Sequence, residues 1–223
     1  MNKILPVKRT KSQAQQYYDR LSRFYDRLTV SEAALIKRGI DLLAVQPGEI
    51  LLEIGCGTGR ALADCAKALL TEDLHIGMDL SHKMLLRCQD KGIIPPPALI
   101  QADGVCLPLQ AESCQAVFMA FTLELFTLQD MHAVLAECWR VLKPDGRLGV
   151  VALEGDPHTI TVQLYELAHR LFPVAVDCRP IPLASLLNAN GFQLVHSEKV
   201  INWGLPIHIT VSSKRRSENQ TIA

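Results

Sequence analysis

One stretch constrains this chain more than any other: Leu51-Leu52-Glu53-Ile54-Gly55-Cys56-Gly57-Thr58-Gly59. An apolar run meets an acidic residue, and three glycines at alternate positions then lead into a helical pattern. The pattern predicts a strand feeding a loop whose bare backbone lies against a small ligand. A Cβ at such positions would hold the ligand off or forbid the backbone angles. Spacing separates the nucleotide-binding loops that use this device. The dinucleotide fingerprint G-x-G-x-x-G would place its third glycine at position 60, which is Arg60. A phosphate-cradling loop needs Gly-Lys-Ser/Thr after a longer gap, and no such lysine follows. What remains is E-x-G-x-G-x-G. Without a ligand, the same residues would be a glycine-rich turn between a strand and a helix.

Around this loop the apolar pattern alternates between two periods. Strands are predicted over 50–54, 74–78, 98–101, 116–121 and 148–153. Between them lie helical faces carrying Leu62, Cys65, Ala66 and Leu69, then Met84, Leu85 and Cys88 behind a Ser81 cap, then Met131, Val134, Leu135, Cys138 and Leu142. Such alternation argues a parallel sheet covered on both faces. Ahead of it, Tyr17, Leu21, Phe24, Tyr25 and Leu28 recur at helical spacing, and a second helix is expected over 31–45 with Ser31 as its N-cap. Behind it come a helix over 159–171, a proline-interrupted stretch over 172–182, and a short helix over 183–190 closed by Gly191. Strands over 192–200 and 205–211 end the chain, joined closely enough to form an antiparallel hairpin.

At 223 residues the chain fits one domain with a substantial core, and its 48% hydrophobic and 21% charged residues are ordinary for a globular protein. Lysine plus arginine equals aspartate plus glutamate at 23 each, so no global field attracts nucleic acid. Basic residues cluster at Lys3, Lys8, Arg9 and Lys11 and again at Lys214, Arg215 and Arg216. These are expected to be solvated tails, with weak attraction to an anionic membrane surface as the alternative. Seven cysteines, an odd number without a C-x-x-C, indicate neither a disulfide framework nor a zinc site. They read as small core residues in a reducing compartment. No uncharged segment approaches the ~20 residues that span a bilayer, and the N-terminus lacks the apolar stretch of a signal peptide. A cytoplasmic protein without a bound metal is expected.

In an open α/β sheet, ligands lie beyond the carboxyl ends of the strands, near the point where strand order reverses. Asp79 ends the second strand and is suited to accept hydrogen bonds from both hydroxyls of a ribose; alternatively it stabilises the start of the helix that opens at Ser81. After the third strand, Asp103 beside Gly104 suits the exocyclic amine of adenine, or is a plain turn residue. Met84 and Leu85 either pack on an adenine face or belong to the core.

Taken in order, Leu52 to Gly59, Gly77-Met78-Asp79-Leu80-Ser81, Ala102-Asp103 with Leu107-Pro108-Leu109, and Val141-Leu142-Lys143-Pro144-Asp145-Gly146 resemble the class I S-adenosylmethionine-dependent methyltransferases over roughly residues 45 to 155. Tyr18-Asp19-Arg20, Arg23-Phe24-Tyr25-Asp26-Arg27 and Glu137-Cys138-Trp139-Arg140 make the chain similar to the ubiquinone/menaquinone-biosynthesis C-methyltransferase group. The resemblance implies a Rossmann-like, seven-stranded, mostly parallel sheet with helices on both faces and an antiparallel C-terminal strand. It divides the chain into an N-terminal helical lid over 1–45, a methyltransferase domain over 46–213 and a disordered tail over 214–223. S-adenosyl-L-methionine is the implied cofactor. Its methionine end would be held by Glu53 and the loop of Gly55, Cys56, Gly57 and Gly59, with Tyr25 near the same end. Asp79, Leu80, Met84, Asp103, Gly104, Phe121 and Thr122 complete the implied binding set.

The implied partner is a small-molecule or lipid-like methyl acceptor, with a quinone precursor the first choice. A phospholipid amine or another nitrogen or oxygen acceptor is the second reading, and a non-catalytic cofactor-binding module the third. A carbon acceptor on a hydroxylated ring needs a phenolic proton removed. Glu124, Glu154 and His158 are candidates for that base, and Arg179 is a candidate for stabilising an anionic acceptor; none is singled out. Tyr18, Phe24 and Tyr25, together with residues 172–182, are expected to fold over the strand ends as an apolar lid.

Overall fold

The glycine loop leaves a strand at the centre of the sheet. In the computed structural model, which describes residues 4–67, 74–155, 162, 163, 165, 167 and 178–215, that strand is β1 (Leu51–Ile54). It is joined by β2 (His75–Asp79), β3 (Ala98–Gln101), β4 (Cys114–Ala120), β5 (Leu142–Leu153), β6 (Phe192–Asn202) and β7 (Leu205–Lys214) in the order β3-β2-β1-β4-β5-β7-β6. β1 to β5 pair in parallel, and β7 runs antiparallel to both of its neighbours. Strand order reverses between β1 and β4, which leaves a crevice beyond the carboxyl end of β1, where Gly55 begins the loop.

Consecutive strand residues feed opposite cores, as the pleat requires. Leu52, Ile54, Val117, Met119 and Val150 pack with Val134, Leu135 and Cys138 of α6 (Leu128–Val141) and with Leu183 and Leu187 of α7 (Leu183–Ala189). Leu51, Phe118, Val151 and Ile209 pack on the other face with Leu35 and Leu43 of α3 (Ala33–Leu43), Leu62 and Cys65 of α4 (Arg60–Ala66), and Leu85 and Cys88 of α5 (His82–Asp90). All seven cysteines are free, and Cys56, Cys65, Cys88, Cys114 and Cys138 are buried.

Several boundaries differ from those predicted. α1 (Lys11–Leu21) starts six residues before Tyr17, because Thr10 and Gln13 form a capping box: Thr10 accepts from the Gln13 amide at 3.2 Å and Gln13 accepts from the Thr10 amide at 2.9 Å. The chain then breaks before α2 (Tyr25–Leu28), so the series from Tyr17 to Leu28 belongs to two helices. Ser31 caps nothing; it lies in the 3₁₀ turn Val30–Glu32 that feeds α3. Pro144-Asp145-Gly146 falls inside β5, between the pairings Cys114↔Leu142 and Ala116↔Arg147, where the register shifts. β7 runs through Lys214, whose ammonium lies 4.4 Å from the centre of the Trp139 ring, so Lys214 belongs to the sheet and not to a tail. Leu69, most of the helix predicted over 159–171 and most of 172–182 lie outside the described residues.

Candidate cofactor site

A cleft opens at the switch point, floored by Gly55, Gly57, Asp79, Leu80, Met84, Asp103, Gly104, Phe121 and Thr122. The N-terminal segment closes over it with Lys8, Arg9, Lys11, Tyr18 and Tyr25. All three loop glycines have positive φ (70° at Gly55, 53° at Gly57 and 77° at Gly59). A Cβ at Gly55 would collide with Thr122, and one at Gly59 with the Cys88 sulfur. A Cβ at Gly57 would find a single neighbour within 4 Å, the Tyr25 ring at 3.6 Å. Gly57 is therefore the one whose bare backbone faces open space, a cradle that a side chain would fill. Gly59 sits behind the loop, away from the cleft. Phe121 also has a positive φ, 51°, at the turn out of β4, which is costly backbone for an aromatic residue and occurs at the cleft wall.

Asp79 secures the loop. One carboxylate oxygen accepts from the Gly57 amide at 2.9 Å and the other from the Ser81 amide at 2.7 Å. A carboxylate offers about four lone-pair sites, so acceptor capacity remains for a ligand hydroxyl beyond these amides. Burial pushes its pKa up to about 6, against the Ser81 and Gly57 amides that favour the charged form. Asp103 lies across the cleft and accepts from the Val105 amide at 3.2 Å, while the Lys11 ammonium stands 2.7 Å from its other oxygen. Lys11 also lies 3.9 Å from Asp130, a second cleft residue.

Polar contacts dock the N-terminal helices on this floor. Asp19 of α1 accepts from the Ser81 hydroxyl at 2.6 Å and the Lys83 amide at 3.1 Å, at the start of α5. Asp26 of α2 accepts from the Thr58 hydroxyl at 2.5 Å and pairs with Lys91 at 2.9 Å; burial opposes its charge, but Thr58 and Lys91 hold its pKa below the usual carboxylate value. Arg60 donates to the Asp26 carbonyl at 3.1 Å. These bonds hold the intervening Tyr25 over Gly57.

Glu53, Cys56, Glu124 and Glu154, among the other predicted residues, do not line the cleft. Glu53 is buried behind the loop, with one carboxylate oxygen that has no hydrogen-bond partner among the described residues; burial pushes its pKa well up. Cys56 is buried beside Cys88 on the same side. Glu124 is fully buried in a short turn after β4, where it accepts from the Leu153 amide at 3.2 Å; burial pushes its pKa up to about 8, and it does not line the cleft. Glu154 is taken up by His208 at 2.7 Å and Lys199 at 3.4 Å. Arg179 does border the cleft, but its side chain is 1% exposed and holds carbonyls: Nε donates to Glu124 at 2.9 Å and the terminal nitrogens donate to Leu5 and Phe126. Burial pushes its pKa down to about 10. His158 lies outside the described residues. Among the described residues, no group of His, Cys, Asp or Glu could hold a metal ion, and no helix is long and apolar enough to cross a membrane.

Sequence reasoning missed Lys11 and the cleft wall around it, expecting a solvated basic tail. The signal was available in Thr10-x-x-Gln13, which starts a helix at Lys11. It missed Asp130 as well, which sits in the first turn of α6 with nothing in the local pattern to mark it.

With this geometry in hand, comparison with known proteins is informative. Residues 52–150 match the family model described as a methyltransferase domain. The chain is 30% identical over 158 residues to a demethylmenaquinone methyltransferase of Lactobacillus johnsonii, covering 69% of this chain and 61% of that protein. It is 29% identical over 137 residues to a malonyl-[acyl-carrier protein] O-methyltransferase of Marinomonas, covering 61% and 50%. The magnesium protoporphyrin IX methyltransferase of Synechocystis, solved with bound S-adenosylhomocysteine, shares the fold at a TM-score of 0.75 and 17% identity, over 92% of this chain and 100% of that one. The chain spans between half and two thirds of the length of the first curated relatives it matches. Fold, loop and family model agree: the chain carries a class I S-adenosylmethionine-dependent methyltransferase domain. The relatives and the neighbour named above are methyltransferases, and the Synechocystis enzyme holds S-adenosylhomocysteine.

Proposed function

We propose that this chain transfers the methyl group of S-adenosylmethionine to a small-molecule or lipid-like acceptor, with a quinone precursor the first choice. The observation that carries the reading is the open backbone at Gly57, set between the Asp79 carboxylate and the Tyr25 ring. When bound, the cofactor supplies a methyl group on a sulfonium, already a good leaving group. The residues then have to align an acceptor in a dry cleft, which contributes much of the rate enhancement. Gly57 and Tyr25 would hold the methionine end, Asp79 the ribose, and Asp103 the adenine amine once Lys11 shares or yields it. Residues 4–28 act as the lid; α3, within the 1–45 expected to cover the cleft, packs instead against the sheet. α1 buries none of its side chains fully, so what holds it over the cleft is chiefly polar contact.

The chemistry of the acceptor is read from the carboxylates that are described in and around the cleft. We do not choose Glu124 as its base, because the carboxyl is fully buried off the cleft and burial pushes its pKa up to about 8. Asp79, Asp103 and Asp130 all have partners among the described residues. This favours, as a second reading, an acceptor that needs no strong base from the protein, such as a neutral amine or an oxygen that is ionised in solution. Zero net charge argues against nucleic acid as acceptor, and the free cysteines fit a reducing compartment such as the cytoplasm. The test is to incubate the purified protein with methyl-labelled cofactor and a cell lipid extract. Label should enter an organic-soluble ring or lipid product and should do so in wild type but not in Gly57→Val. Label in protein or nucleic acid alone, or in nothing, would overturn the proposal.

A further inference from the structure

Five large apolar side chains stand exposed on one rim of the molecule. Phe24 (56% exposed), Leu28 (63%) and Val30 (64%) come from the α2 segment, and Ile201 (67%) and Trp203 (85%) from the tip of the β6–β7 hairpin. The Asn202 amide nitrogen lies 3.5 Å from the Ser31 carbonyl oxygen, which sets the hairpin tip beside that segment. Trp203 is the most unusual of the five. It occupies the first position of a two-residue turn with φ 52°, followed by Gly204 at 77°. Both positive angles are those of a type I′ turn, where asparagine, aspartate or glycine is favoured and a bulky aromatic is strained. Intramolecular packing does not explain a tryptophan there, because the side chain is almost wholly in solvent.

Charge around the rim points one way. Asp26 faces inward to Thr58 and Lys91, Glu198 is paired with Arg38 at 2.9 Å, and half-buried Glu32 acts on Glu124 beneath it. Arg23 and Arg27, which alternate with Phe24 and Leu28 in the chain, are exposed and form no ion pair among the described residues. An exposed aromatic at a hairpin tip, aliphatic neighbours and unpaired guanidinium groups are the combination that suits the boundary between lipid headgroups and acyl chains. We propose that this rim docks the protein on an anionic lipid bilayer, with Trp203, Val30 and Leu28 entering the headgroup boundary and Arg23 and Arg27 meeting lipid phosphates. Tyr25, between these residues, covers Gly57, so docking would open the lid toward the membrane; that consequence rests on the lipid-like acceptor proposed above, whereas docking itself does not. Of the two basic runs, Lys11 is engaged in the cleft wall and Lys214 on Trp139.

The test uses the whole chain with Trp139→Phe, which leaves Trp203 as the only tryptophan. Vesicles of phosphatidylcholine and phosphatidylglycerol should co-sediment the protein and shift its fluorescence to the blue, whereas phosphatidylcholine alone should do so weakly. Trp203→Asn, tested in the wild-type background by sedimentation, should lose roughly tenfold or more in vesicle affinity. The same substitution should raise the melting temperature, because asparagine suits the turn. Arg23→Gln with Arg27→Gln should remove the preference for anionic vesicles. Titration of Trp203→Asn with S-adenosylhomocysteine should be unchanged, which separates failure of docking from failure of the cofactor reading. Absence of co-sedimentation, or wild-type binding by Trp203→Asn, would overturn the proposal. So would a concentration-dependent dimer that Trp203→Asn abolishes, for the rim would then meet a second copy.

Discussion

Gly55, Gly57 and Gly59 share left-handed backbone angles, yet each is glycine for a different reason, and substitution should separate them. Gly59→Ala adds a left-handed penalty to a collision with the Cys88 sulfur, and should cost about 2–4 kcal/mol of stability in a denaturant titration. Gly57 substitutions should spare the core and remove ligand binding instead. Asp79 makes a pH-dependent prediction. Its pKa of about 6 means that the ionised acceptor is lost as pH falls through 6, so affinity for S-adenosylhomocysteine should drop there. Asp79→Asn should bind roughly tenfold or more weakly at pH 8 and show little pH dependence in calorimetry. Glu124 works on stability. Its folded pKa of about 8 exceeds a glutamate's ordinary value of 4.5, so the folded chain binds more protons than the unfolded chain between those values and stability falls as pH rises through that window. Glu124→Gln keeps an oxygen for the Leu153 amide and should flatten that fall, with its advantage over wild type in thermal melts largest above pH 8. The glycine spacing was visible in the sequence. The separate reasons were not, because Thr122 and Cys88, which crowd Gly55 and Gly59, come from distant segments.

At the scale of elements, periodicity was a good guide wherever a face is buried and a poor one elsewhere. The strands of the parallel sheet and the α6 stripe of Met131, Val134, Leu135 and Cys138 were legible because each packs into a core. The start of α1 was not, because that helix buries no residue and its first turns are polar; a capping box fixes it instead. A helix held by polar contacts opens locally at little cost. Asp19→Ala removes the acceptor of both the Ser81 hydroxyl and the Lys83 amide. Amide exchange over residues 11–28 should then speed by an order of magnitude or so while exchange in β1 and β4 stays unchanged. Wild-type exchange rates over 11–28 in that variant would mean that α1 is held by something other than this docking. Trp203 was likewise invisible as a strained residue, since a two-residue turn there was read as a longer connection.

At the scale of the whole molecule, strand order does what composition could not. Placing β1 between β2 and β4 brings the loop after β1, Asp79 after β2, Asp103 after β3 and Phe121 after β4 to one crevice, although they are spread over 67 residues of chain from Gly55 to Phe121. The sequence alone grouped these residues by family resemblance, and the sheet supplies the physical reason. It could not anticipate that Glu53 and Glu124 are buried away from the cleft, or that Asp79, Asp103 and Asp130 all have partners among the described residues, since burial depends on the packing of every neighbour. The central claim is that Gly57 presents bare backbone to S-adenosylmethionine. Calorimetric titration of S-adenosylhomocysteine into wild type and Gly57→Val tests it most directly, with circular dichroism to verify that the variant is folded. Saturable one-to-one binding by wild type and its loss in a folded variant is the predicted result; equal affinity in the two folded proteins, or none in wild type, would contradict it.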